Sequence, residues 1–227
     1  LEFRPQSHTA GLAPYFREYL RGYMKGWIKD YEKRTGRELD LYSGGLKIYT
    51  TINAEMQQNA EEAVQEHLSN YQRIFDIIKE DRKYGPFYFD EDPAGNVKRI
   101  VDRAMKNTQR YRGMKRRGAS QDSIQKAFTT PIPMTVFTWQ GDKDTVLSPR
   151  DSIIYYKGLY QVGMMSVEPQ SGHVKAWVGG NDYQYFKYDH VKQGKRQVGS
   201  TFKPFVYASA ILEKNYSPCM EVPNAKI

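Results

Sequence analysis

The chain has 227 residues, 39% of them hydrophobic, with a formal net charge of +8. That is enough apolar content for a real core and enough length for one large domain or two small ones, which excludes a wholly disordered chain. The one cysteine, Cys219, excludes an intrachain disulfide, and His8, His67, His173 and His190 are too far apart in sequence for metal-ligand spacing.

Residues 13–35 carry Tyr15, Phe16, Tyr19, Leu20, Tyr23, Met24, Trp27 and Ile28 at helical spacing, ended by Gly36. Such a stripe packs against a core or lies on a membrane surface, and core packing is the ordinary state of a surface helix. Leu46 to Thr51 alternates and is rich in β-branched and aromatic residues, so it predicts a strand. Asn53 stands where a cap would start a helix from Ala54 to about Leu68, with Met56, Ala60, Ala63, Val64 and Leu68 on one face.

Residues 70–130 are highly charged and broken by Gly85-Pro86, Asp92-Pro93 and Gly113, with short helices expected near 74–78 and 100–105. The stretch predicts a helical insertion. It holds the basic cluster Lys106, Arg110, Arg112, Lys115, Arg116 and Arg117, with Tyr111 among them. Basic residues interleaved with an aromatic can bind nucleic acid. A solvated helix face is the commoner role of such a run.

Thr130-Pro131-Ile132-Pro133 marks a boundary before a strand at 134–139 and a turn at Gln140-Gly141-Asp142. Ser148 followed by Pro149 predicts a capped helix start. A hairpin is expected next, from Gln161–Glu168 and His173–Gly179, joined by Pro169-Gln170-Ser171-Gly172 with the glycine at positive φ. Residues 199–212 predict a buried helix entered through Gly199. No run reaches the roughly 18 apolar residues of a membrane span. The absence of an initiator Met and of a signal-peptide pattern suggests a piece of a longer chain.

The chemistry centres on Ser200-Thr201-Phe202-Lys203. Residues i and i+3 share a helix face. A serine hydroxyl needs a base to become a nucleophile, and a neutral lysine one turn away can serve. Burial would favour the neutral amine, and a helix N-terminus favours the developing oxyanion. The spacing alone is weak, since Ser123-Ile124-Gln125-Lys126 also fits it. Ser123 lies in a charged segment, whereas Ser200 follows a glycine and opens an apolar run.

Ser166 to Gly180, with Lys195-Arg196-Gln197-Val198-Gly199-Ser200-Thr201-Phe202-Lys203-Pro204-Phe205-Val206-Tyr207, closely resembles the class A, bifunctional penicillin-binding proteins. Ser43-Gly44-Gly45-Leu46-Lys47-Ile48-Tyr49-Thr50-Thr51-Ile52 through Gln57-Gln58 is similar to that family's linker. The resemblance covers about residues 13–68 and 134–227, and leaves 70–130 as a family-variable insertion. It implies an α/β (α+β) fold of helices packed on an antiparallel sheet, an incomplete penicillin-binding transpeptidase with a small linker subdomain and a helical insertion. The implied divisions are 1–44, following a glycosyltransferase domain; 45–160, the linker subdomain; and 161–227, the first part of the transpeptidase.

The implied activity is peptidoglycan synthesis by D-alanyl-D-alanine transpeptidation. Ser200 is the implied nucleophile, acylated also by β-lactams, and Lys203 its proton acceptor. No cofactor and no metal are implied. The implied partners are peptidoglycan stem peptides, lipid-linked precursors and a membrane reached through an upstream anchor; nucleic acid is not expected. The implied location is the outer face of the cytoplasmic membrane. Val198 replaces the proline that many relatives have before the glycine. The 27 residues after Ser200 contain neither Ser-x-Asn nor Lys-Thr/Ser-Gly, so the chain alone is expected to be a poor transpeptidase. The alternative is a non-catalytic linker or interaction module that docks on partners or membrane.

Overall fold

The computed structural model describes residues 11–80, 85–87, 92 and 95–221, in two compact units, 1–193 and 194–227. The chain is mostly helical, with two separate two-stranded antiparallel sheets rather than one shared sheet among the described residues.

In the first unit, α1 (Pro14–Thr35) begins with Pro14 at its first position, where a missing N–H costs nothing. It stops at Gly36, which adopts left-handed φ (66°) and donates its N–H to Glu32 O. Only part of the apolar stripe packs on protein, and Tyr23 and Trp27 stay exposed. Tyr15, Met24 and Ile28 are buried, while Phe16 and Tyr19 lay their rings on Trp177, at 6.0 and 5.3 Å between centroids.

The strand expected at 46–51 is absent. Those residues pair with no other strand, with Ile48 and Tyr49 exposed and Leu46 only half-buried. The segment meets the sheet only at its end, where Thr51 Oγ1 and Asn53 N donate to Val174 O and Lys175 O.

Asn53 caps α2 (Ala54–Glu80), its Oδ1 accepting from Met56 N at 2.9 Å. The helix runs twelve residues past the expected end at Leu68 and absorbs the short helix expected at 74–78. Ser69 and Asn70, which resemble a stop, instead bond back to Glu66 O at 2.8 and 3.1 Å and stay helical.

The charged stretch then forms three short helices, α3 (Asn96–Asn107), α4 (Gln109–Arg116) and α5 (Gln121–Thr129). Thr108 and Ser120 cap the last two through side-chain oxygens. Val101, Met105, Ile124 and Phe128 form their core, with Ile153 and Ile154 of α6 (Pro149–Lys157) against it. Ser148 and Pro149 start α6 as expected, with Ser148 Oγ accepting from Asp151 N.

Strand β1 (Ile132–Thr138) pairs with β2 (Gly141–Leu147), a strand whose polar composition hid it in the sequence. β3 (Met164–Val167) pairs with β4 (Val174–Val178), shorter than expected and with an irregularity at Ser166/Val167. α2 lies along both halves of the unit. Ala60 and Val64 pack on Ala176 and Val178, and Leu68 reaches the cluster of Phe137, Trp139 and Leu159.

Gly179 and Gly180, after β4, let the chain pass against Tyr15. A Cβ on Gly180 would sit 2.3 Å from the Tyr15 hydroxyl. That hydroxyl donates to Phe186 O at 2.7 Å, and burial pushes its pKa well above the usual phenol range. Gly180→Ala is therefore expected to break this hydrogen bond and cost about 1–3 kcal/mol, read as a shift in denaturant midpoint. An unchanged midpoint would show that Tyr15 can move aside freely.

The first unit ends in a single helical turn, α7 (His190–Gln193). In the second unit, a 3₁₀ turn (Gly199–Phe202) runs into α8 (Lys203–Lys214). Asn215 ends the helix in left-handed conformation, its N–H on Ala210 O. The expected helix forms, but the expected burial does not. No residue of α8 is buried, and Phe205 and Leu212 are 69% and 80% exposed.

Candidate functional site

Gly199 takes φ 52°, a conformation glycine adopts without strain, and turns the chain into the 3₁₀ segment. Thr201 fixes that turn, donating its N–H and its Oγ1 to Val198 O at 3.1 and 2.5 Å. Ser200 sits within the turn. Lys203 is the first residue of α8 and donates its N–H to Ser200 O, so the two residues stand one turn apart at the helix entry. Pro204 follows within the first turn.

Both side chains are exposed, and no hydrogen bond joins them among the described residues. Nothing within residues 194–221 buries the Lys203 side chain. The arrangement provides a hydroxyl, an amine on the same helix entry, and unpaired N–H groups of a first turn. It does not by itself provide the enclosing walls of an acyl-transfer site.

The competing pair is differently occupied. Ser123 lies in the first turn of α5, where its Oγ accepts from Ser120 Oγ at 3.0 Å and its N–H donates to Ser120 Oγ. It belongs to a helix cap, and Lys126 is exposed. No group of three metal-type side chains gathers among the described residues. His8 lies outside them.

The turn at 169–172 forms as expected, with Gly172 at φ 71° and its N–H on Glu168 O. Glu168 accepts a hydrogen bond from Ser171 Oγ and lies 3.5 Å from Lys175 Nζ. The Ser171 hydroxyl, then the Lys175 charge, hold its carboxyl below the usual range. A carboxylate with a lowered folded pKa contributes stability above its unfolded pKa, and that contribution is lost as pH falls through the folded value. Ser171→Ala is expected to move the Glu168 midpoint upward in an NMR titration. An unmoved midpoint would transfer the effect to Lys175.

Three glutamines of α2 bond main chain elsewhere in the unit, and the sequence marks Gln57 only as part of the linker resemblance and Gln65 and Gln72 not at all. Gln57, fully buried, accepts from Trp177 N at 2.6 Å and donates to Trp177 O at 3.0 Å and to Glu61 Oε1 at 2.7 Å. Gln72 does the same further on, accepting from Tyr160 N and donating to Gly158 O. Gln65 donates to Trp139 O. The primary amides of Gln57 and Gln72 thus stand in for a neighbouring strand. The available signal was polar residues at 57 and 72 on the stripe that carries Ala60, Val64 and Leu68.

Residues 82–160 match the family described as penicillin-binding protein middle domain. The match overlaps the charged helical stretch 70–130 and runs on through β1, β2 and α6. The chain is 27% identical over 196 residues to penicillin-binding protein 1A of Neisseria flavescens, covering 76% of this chain and 24% of that protein. It is 27% identical over 195 residues to penicillin-binding protein 1A of Haemophilus influenzae, covering 79% and 22%. Against penicillin-binding protein 2D of Bacillus subtilis the identity is 28% over 162 residues, covering 71% and 20%. The chain thus spans about a quarter or less of the length of these curated relatives.

Proposed function

The chain carries a penicillin-binding-protein middle domain and is a distant homologue of penicillin-binding protein 1A; from that premise we propose that Ser200 is the acyl-accepting nucleophile of a D-alanyl-D-alanine transpeptidase in peptidoglycan synthesis. The observation that carries the reading is the entry to α8, with Ser200 in the turn and Lys203 at the first helical residue.

In the proposed reaction Ser200 Oγ attacks the carbonyl carbon of the penultimate D-alanine of a stem peptide. Its proton passes to a neutral Lys203 Nζ. The terminal C–N bond breaks, D-alanine leaves with a proton, and an ester remains on Ser200. An amine of a neighbouring stem then attacks the ester, forms the cross-linking amide and returns the proton to Ser200. A β-lactam acylates the same oxygen, but its leaving nitrogen stays tethered in the opened ring.

The bare apolar side chains of α8, Phe205 and Leu212 foremost, suit a helix that further protein covers in the working enzyme. Such cover would also bury Lys203, which is exposed here. On this reading residues 161–227 are the first part of the transpeptidase and 45–160 the linker. Stem peptides and lipid-linked precursors are the partners, met at the outer face of the cytoplasmic membrane. The anchor is expected elsewhere in the protein, since no helix among the described residues is long and apolar enough to cross a membrane.

The test is incubation of a full-length protein carrying this chain with a fluorescent penicillin, followed by mapping of the adduct. An adduct on Ser200 is expected. A folded full-length protein that takes no label, or takes it elsewhere, overturns the reading.

A further inference from the structure

The chain's net charge is concentrated in one place. Residues 96–126 hold ten Lys and Arg against Asp102 and Asp122, and the remaining residues carry 24 of each sign, so the net +8 equals that of the stretch from α3 into α5. No carboxylate among the described residues is paired with any of those ten cations.

The fold gives this charge one side. α3 and α4 turn Val101, Met105, Tyr111 and Met114 into the same core cluster. Arg99, Arg103 and Lys106 recur at i, i+4 and i+7 on the opposite face of α3 and are exposed, as are Arg112, Lys115 and Arg116 on α4. Like charges one turn apart weaken a helix. The arrangement opposes folding, and an external anionic surface would relieve it.

From this we infer that the α3–α4 face docks on the anionic headgroups of a phospholipid bilayer. Single-stranded nucleic acid would need an exposed aromatic for stacking. The one aromatic of the basic run, Tyr111, is turned inward with its ring 6.5 Å from that of Phe128. The apolar sides of both helices are used in the core, so binding is adsorption to headgroups without insertion. Each cation held near an anionic surface is worth roughly a fivefold gain in affinity. The attraction decays within a Debye length, about 8 Å at physiological salt. The choice of lipid over another polyanion rests on the reading of Ser200 as part of an enzyme that works beside a membrane. Vesicle binding involves no Ser200 chemistry, so either idea can fail alone.

The test is co-sedimentation of the 227-residue chain with phosphatidylcholine vesicles, with and without phosphatidylglycerol. Binding is expected only to the phosphatidylglycerol vesicles, falling steeply as salt rises. Arg103→Glu, Lys106→Glu and Arg112→Glu together are expected to weaken it at least about a hundredfold. The same three positions changed to Gln should give an intermediate loss. The same charge change on α1, as Lys25→Glu, Lys29→Glu and Lys33→Glu, should keep most of the binding. Equal binding to neutral vesicles would assign adsorption to the exposed apolar side chains of α8 and overturn the inference. So would equal loss in the α1 variant, or tighter binding to a short DNA duplex than to the anionic vesicles.

Discussion

In a full-length protein carrying this chain, Ser200→Ala is expected to abolish the covalent penicillin adduct, and Lys203→Gln to slow its formation about a hundred- to ten-thousand-fold. The two effects differ in kind. Without Ser200 Oγ there is no atom to carry the ester. Without Lys203 the oxygen remains, but its proton has no positioned acceptor, and attack then depends on solvent. The Lys203→Gln protein should still fold, since Lys203 is exposed and holds the turn only through its backbone N–H on Ser200 O. Its acylation rate should also lose the rising limb of its pH profile, which a purely structural role would leave in place. Ser123→Ala is the matched control, because that hydroxyl serves the cap of α5. Labelling that survives Ser200→Ala would end the assignment.

Gln57→Leu is expected to destabilise the chain by about 2–5 kcal/mol. Leucine has similar bulk but cannot bond, so Trp177 N and O would both be left buried and unpaired, each costing about 1–3 kcal/mol. Against a typical stability of about 5–15 kcal/mol, that is a large share. Gln58, one residue on, is exposed and bonds only Glu62, so Gln58→Leu should stay within about 0.5 kcal/mol. Chemical denaturation followed by tryptophan fluorescence would separate them. Equal midpoints would mean that the β4 backbone finds other partners or water.

The helices were legible where a local signal decided the outcome. Gly36, Asn53, Ser148 and Pro149 each mark a boundary that the structure keeps, because capping needs only neighbouring backbone groups. The failures came where burial decides. Leu46–Thr51 has strand composition but no partner, and a strand is made by the neighbour it pairs with. β2 forms from Gly-Asp-Lys-Asp-Thr-Val-Leu because β1 and the turn at Gly141 impose it. The continuation of α2 to Glu80 was hidden by Ser69 and Asn70, whose side chains can end a helix or bond back into it.

For the candidate site, the sequence supplied the spacing of Ser200 and Lys203 and the glycine before them. It could not supply their environment. Apolar residues from Phe205 to Leu212 imply burial, yet burial depends on what lies opposite, and residues 194–221 do not include it. The basic run showed the converse. Its charge was plain, but which way Tyr111 faces was not, and the structure packs it, half-buried, against a core cluster.

The glutamines of α2 also set what can vary in this protein over evolutionary time. Gln57, Gln65 and Gln72 fall within about 80° of one another round the helix axis and span roughly 22 Å of its length. Each holds a different stretch of main chain. One residue lost or gained between them would rotate every later amide by about 100° and detach its target. Insertions and deletions should therefore accumulate in turns such as 169–172, while the stretch from 57 to 72 keeps a constant number of residues.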